Sequence, residues 1–94
     1  MTGMAVTVHL PSMLRELADG AAEVTASGET LGELLDDIAT RHPTLERRLR
    51  DESGVLRRYV NFYVDGEECR RIGGVRAPVG RSTEVMVIPS VAGG

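Results

Sequence analysis

The chain has 94 residues, 41% of them hydrophobic, and a formal charge of −3 from 14 acidic and 11 basic residues. That length suits one domain built around one core, expected to span residues 1–94 with flexible termini at 1–3 and 90–94. Charges are mixed along the chain without a basic patch, the apolar runs are strand-length, and no basic segment precedes an apolar one at the N-terminus; nucleic-acid binding, a membrane-spanning helix and a secretory signal are therefore excluded, and a cytoplasmic location is expected.

Residues 5–10 alternate Val6, Val8 and Leu10 against Ala5, Thr7 and His9, the period of a half-buried strand that Pro11 ends. A short helical turn is predicted over residues 12–17, before Asp19-Gly20 turns the chain into a returning strand at residues 23–26. Thr30 and Glu33 have the spacing of a capping box, and Leu31, Leu34, Leu35 and Ile38 follow at i, i+3, i+4, i+7; a helix with one apolar stripe is predicted to run to Arg41-His42, before Pro43. A second helical piece over residues 44–50 carries Leu45 and Leu49 inward, and Glu46, Arg47, Arg48 and Arg50 read as its solvated face.

Residues 59–64 form the next strand, with Val60, Phe62 and Val64 inward and Tyr59 and Tyr63 outward. Asp65-Gly66 is a hairpin signal leading to a short edge strand at residues 67–70. Residues 72–80, with Gly73-Gly74 among them, read as loop. The last strand covers residues 83–88, with Val85 and Val87 on one face and Met86 and Ile88 on the other, and Pro89 ends it. The order β-β-α-β-β-β is an α+β arrangement: a small mixed sheet with one main helix packed across one face. No element remains for the other face, so Met86 and Ile88 are expected on an uncovered apolar patch that fits a partner.

After Pro89 come Ser90, Val91, Ala92, Gly93 and Gly94. Glycine has no Cβ, so a Gly-Gly end passes through a channel too narrow for a side chain and leaves its terminal carboxylate unshielded. Extended, the five residues span at most about 17 Å, enough to cross from a docked surface into a buried active site. Pro89, with its fixed φ, aims them.

The two-strand start, the helix after Gly28-Glu29-Thr30-Leu31, the Val64-Asp65-Gly66 hairpin and the closing segment from Glu84 to Gly94 together resemble the MoaD/ThiS family of ubiquitin-like sulfur carriers, over nearly the whole chain from Met4. Residues 59–64 and 89–94 are most similar to the actinobacterial carriers that supply sulfur for cysteine biosynthesis. Arg81-Ser82 departs from the Gly-Asp or Asp-Gly of many relatives, at a turn rather than in the tail.

The resemblance implies a β-grasp fold and a Gly94 that is adenylated and then converted to a thiocarboxylate. It also implies that the chain is a protein cosubstrate rather than an enzyme and binds no cofactor itself. An E1-like adenylating and sulfurtransferase partner would use ATP and Mg²⁺. A sulfur-acceptor synthase, cysteine-synthase-like or of another kind, would take the sulfur, with a metalloprotease releasing product. Val91, Ala92 and Gly93 would enter the partner's active site, and Met86, Ile88 and Tyr63 would dock on its surface. The small subunit of molybdopterin synthase and a ubiquitin-like protein modifier are the alternatives.

The remaining residues with chemistry are few. Cys69, the sole cysteine, excludes an internal disulfide and, with only His9 and His42 beside it, a multi-cysteine zinc site. It reads as a small residue of a short strand; Arg70 and Arg71 beside it leave open a lowered thiol pKa and a sulfur-relay role. His9 and His42 read as surface or helix-end residues. Every base is arginine, which forbids lysine-linked chains of this protein upon itself.

Overall fold

Residues 5–80 and 84–89 are described by the computed structural model of the chain. The first alternating segment forms β1 (Ala5–His9), with Val6 and Val8 buried, and the short turn forms as a 3-10 helix over Ser12–Ala18. Asp19 and Gly20 then take left-handed φ values of 56° and 84° and reverse the chain. The return is β2 (Glu23–Ser27), antiparallel to β1 in the register Ala5↔Ser27 to His9↔Glu23.

α1 (Leu31–Arg41) starts at the predicted cap: the Thr30 hydroxyl accepts from the Glu33 N–H at 3.2 Å. The reciprocal bond is displaced by one residue, since Glu33 Oε1 accepts from the N–H of Glu29 at 2.9 Å. Leu31, Leu34, Leu35 and Ile38 are all buried, so the predicted stripe is the helix's core face. α2 (Pro43–Leu49) has its proline at the first helical position, where the missing N–H costs nothing, and buries Leu45 and Leu49.

β3 (Val60–Val64) buries Val60, Phe62 and Val64, and Asp65 and Gly66, with φ values of 49° and 90°, make the two-residue turn to β4 (Glu67–Glu68). β5 (Glu84–Pro89) lies between β1 and β3, parallel to the first and antiparallel to the second, giving the sheet order β2-β1-β5-β3-β4. The inward residues of these strands meet α1 and α2 in one core, with Phe62 among its fully buried side chains. This is the ubiquitin-like β-grasp arrangement.

Three expectations are corrected. The edge strand stops at Glu68, and Cys69–Arg71 form a 3-10 turn that puts the Cys69 side chain in the core. Arg70 braces that turn: its guanidinium donates to the Val60 and Arg57 carbonyls and to Asn61 Oδ1 and Glu68 Oε2. The segment read as loop over residues 72–80 carries another 3-10 turn, Gly74–Arg76, and fully buries Ala77 and Val79. It closes the start of α1, because the Leu31 N–H, which has no partner inside the helix, donates to the Ala77 carbonyl at 2.9 Å.

The third correction concerns the helix face read as solvated. Arg47 and Arg48 are exposed, but Arg50 and Glu46 each keep only 13% of their side-chain surface. Arg50 pairs with Glu46 and with Asp36 of α1, and reaches the Gly32 carbonyl. Burial opposes the charge on Arg50, yet the hydrogen bonds and charges of Asp36 and Glu46 outweigh it and hold its pKa above the ordinary value. The group therefore ties α2 to α1.

Candidate functional site

The site is built on β5. As a central strand it is hydrogen-bonded on both edges, which fixes the line on which it delivers the chain to Pro89. The tail residues Val91, Ala92, Gly93 and Gly94, and the variant turn Arg81-Ser82, lie outside the described residues. The predicted docking residues are described, and the register brings them together. On the outer face one row crosses all five strands: Glu23, His9, Met86, Tyr63 and Glu68 are successive partners. Ile88, on the same face of β5, is opposite Asn61.

Met86 and Ile88 are exposed and Tyr63 is half-buried beside Met86. Tyr59, expected to share the outward face of β3, precedes that strand and lines a small apolar cleft with Met13, Leu14, Arg48 and Pro89. It belongs to the site by proximity to Pro89 rather than by strand alternation. The row of charges is also informative. His9 is half-buried rather than simply at the surface, with Nδ1 3.6 Å from Glu23 and Nε2 3.4 Å from Glu84, while its Nε2 has no hydrogen bond of good geometry. Carboxylates of Glu23, Glu84 and Glu68 thus stand around the Met86 row.

Cys69 does not belong to this surface. Its side chain is fully buried, and that burial pushes the thiol pKa up despite the opposing charge of Arg70. The sulfur-relay alternative, which needs an accessible thiol of lowered pKa, is overturned. A cleft lined by Tyr63, Asp65, Glu67, Glu68 and Arg71 is polar and open, and no nucleophile and base meet in it. Among the described residues, no three His, Cys, Asp or Glu side chains converge as metal ligands. Among the described residues, the arrangement offers an apolar surface at the end of β5.

Met13 and Arg48 carry no sequence signal for this site. They come from a 3-10 turn and from α2, and only tertiary packing sets them beside Tyr59 and Pro89.

Comparison with known proteins gives consistent results. The model of the ThiS family matches residues 8–94. The chain is 40% identical over 93 residues to the sulfur carrier protein CysO of Mycobacterium tuberculosis, covering 97% of this chain and 100% of that relative. In the crystal structure of the Amycolatopsis orientalis BexX/CysO complex, a chain 39% identical in sequence superposes with a TM-score of 0.86, over 95% of this chain and 99% of the other. The solution structure of small archaeal modifier protein 1 from Methanosarcina acetivorans, 26% identical, matches over 100% of both chains with a TM-score of 0.82.

Proposed function

The chain belongs to the ThiS family, and from that membership we propose that it is a sulfur carrier whose Gly94 is adenylated and converted to a thiocarboxylate. The family match through residue 94, on a fold whose central strand β5 runs to Pro89, five residues before Gly94 in the sequence, carries the reading.

The chemistry follows from the carboxylate. With an α-carboxyl pKa near ~3.5 it is ionised at neutral pH and is a poor electrophile. Its oxygen attacks the α-phosphorus of MgATP in an E1-like partner, releasing pyrophosphate and leaving an acyl-adenylate. A sulfide or persulfide sulfur then attacks the acyl carbon, and the bond to the phosphate oxygen breaks to expel AMP. A sulfide leaves the thiocarboxylate directly; a persulfide leaves an acyl disulfide, which a thiol cleaves to it. The product sulfur is the nucleophile toward an acceptor synthase, and hydrolysis of a thioester-derived adduct by a metalloprotease regenerates Gly94. The chain itself binds no cofactor; ATP and Mg²⁺ belong to the partner. It acts in the cytoplasm as a cosubstrate, and cysteine biosynthesis is the pathway favoured by the 40% identity to CysO.

Met86, Ile88 and Tyr63 dock the partner, while Val91, Ala92 and Gly93 thread its channel. The test is ATP–pyrophosphate exchange by the E1-like enzyme with the chain as substrate. Exchange that disappears on deletion of Gly94 and falls in Gly94→Ala supports the reading. Unchanged exchange in Gly94→Ala refutes a channel that excludes a Cβ, and exchange that persists after deletion of Gly94 refutes Gly94 as the acceptor.

A second reading, conjugation of Gly94 to other proteins, has one observation in its favour: the full-length match to small archaeal modifier protein 1. Gly94-dependent isopeptide adducts in cell lysate would establish it.

A further inference from the structure

Pro89 lines two clefts, one on each side of the end of β5. The first is on the outer-face side, where His9, Leu10, Pro11 and Arg15 meet Met86 and Ile88. The second is on the helix side, where Met13, Leu14, Arg48, Tyr59 and Val60 meet Val87. Of the five large hydrophobic residues exposed among those described, four line one or other cleft: Met13 at 66%, Tyr59 at 50%, and Met86 and Ile88. The fifth, Val55, lines neither. The exposed apolar surface is therefore a collar around the base of the tail, not only a patch on the outer face.

Among the described residues, the arginines and carboxylates that line the two clefts have one sign. In a chain with 14 acids and 11 bases, no carboxylate of the described residues lines either cleft, while each holds one arginine. Arg15 donates through Nε to the Leu10 carbonyl at 3.0 Å, which pins its stem against the end of β1. Arg15 and Arg48 are both exposed, and neither forms an ion pair among the described residues. An arginine fork positioned beside apolar surface suits a partner carboxylate.

The geometry points to a collar, formed by Met13, Tyr59, Met86 and Ile88 with Arg15 and Arg48, that seats on the mouth of the adenylating enzyme's tail channel, whose lip is apolar and carries carboxylates facing the two arginines. This rests on the reading of the chain as a carrier adenylated at Gly94. Fully extended, the five tail residues would carry the terminal carboxylate up to about 17 Å beyond Pro89, so carboxylates at the mouth would act on it more weakly than on the arginines they face. The acids around the Met86 row and the arginines at the tail base ask for opposite charges in the partner, which fixes the orientation of docking as well as its place.

The test is the KM for this chain in ATP–pyrophosphate exchange by the E1-like adenylating enzyme of the source genome, at low and high salt. Arg15→Glu and Arg48→Glu should each raise KM about tenfold at low salt, with kcat unchanged, and the double variant should lose the salt dependence of the wild type. Arg15→Gln, which removes the charge without reversing it if Arg15→Glu fails to fold, should raise KM several-fold at low salt. Arg76→Glu makes the same charge change at the opposite end of the sheet, beside the start of α1, and Val55→Ser removes the exposed apolar residue outside the collar; both should leave KM unchanged. A folded double variant with wild-type KM overturns the collar while Gly94-dependent exchange keeps the carrier reading. A lowered KM overturns it in favour of the chain's own tail folding back on the arginines, and a concentration-dependent dimer lost in the double variant overturns it in favour of a second copy. Wild-type chain that supports no Gly94-dependent exchange overturns the carrier reading, and the collar with it.

Discussion

Replacing Met86 by Gln and Ile88 by Thr together removes the apolar part of the docking face while keeping an unbranched stem at one position and a β-branched residue at the other. Met86 is 47% and Ile88 39% exposed in the free chain. Fully burying such a side chain contributes about 1.5–3 kcal/mol, so covering the exposed fractions against a partner contributes roughly 0.7–1.4 and 0.6–1.2 kcal/mol. The sum, about 1.3–2.6 kcal/mol, corresponds to a roughly ten- to eighty-fold weaker complex. Isothermal titration calorimetry of the chain against its E1-like partner, without ATP, reads the change directly, and urea unfolding of the free chain checks that the fold persists. Undiminished affinity in a folded double variant would refute the assignment of this face to docking. A loss far above a hundredfold would show that the pair anchors a deeper pocket than the free surface suggests.

Other predictions concern the frame that carries the face. Arg50→Ala leaves Glu46, with 13% of its side chain exposed, without its partner; the urea midpoint should fall by an amount equivalent to about 1–3 kcal/mol. Arg50→Met combined with Glu46→Leu should recover most of that loss, to within about 1 kcal/mol of wild type, because removing both charges removes the desolvation cost as well. The Cys69 thiol should resist iodoacetamide in the native chain and react once urea unfolds it. Its pKa is raised above 9.0 by burial, so its contribution to stability is complete below that value and is lost as pH rises toward the folded pKa; stability that increases from pH 8 to pH 10 would contradict the buried site. Gly28→Ala places a Cβ 2.8 Å from the Leu34 nitrogen and 2.9 Å from the Glu33 carbonyl carbon. Helix backbone cannot yield there as a side-chain end would, so a loss of about 1–3 kcal/mol is expected in thermal unfolding.

Local patterns in the sequence carried most of the elements. The alternation at Val6 and Val8, the Thr30 cap, the Leu31 to Ile38 stripe and the Asp65-Gly66 turn each act within a few residues, and each formed where its pattern lay. What the chain did not reveal depends on contacts between distant residues. The pairing of Val8 with Val85 joins segments separated by most of the chain. The solvated-face reading of Arg50 failed because its partner Asp36 is 14 residues away on another helix. Ala77 and Val79 look like loop residues by composition, and become core because they close the start of α1. The outer face followed the same division: Met86 and Ile88 were legible from strand alternation, whereas Met13 and Arg48 reach the tail base only through packing of separate elements. Gly94 was named from the sequence and its resemblance, and lies outside the described residues.

The most direct measurement is the intact mass of the chain after incubation with its E1-like partner, ATP, Mg²⁺ and a sulfide source. Replacement of one terminal oxygen by sulfur adds about 16 Da, and fragmentation should place the increment on Gly94, with none in a chain lacking that residue. An unchanged mass under conditions where the partner adenylates the chain, or an increment on Cys69 instead, would contradict the account.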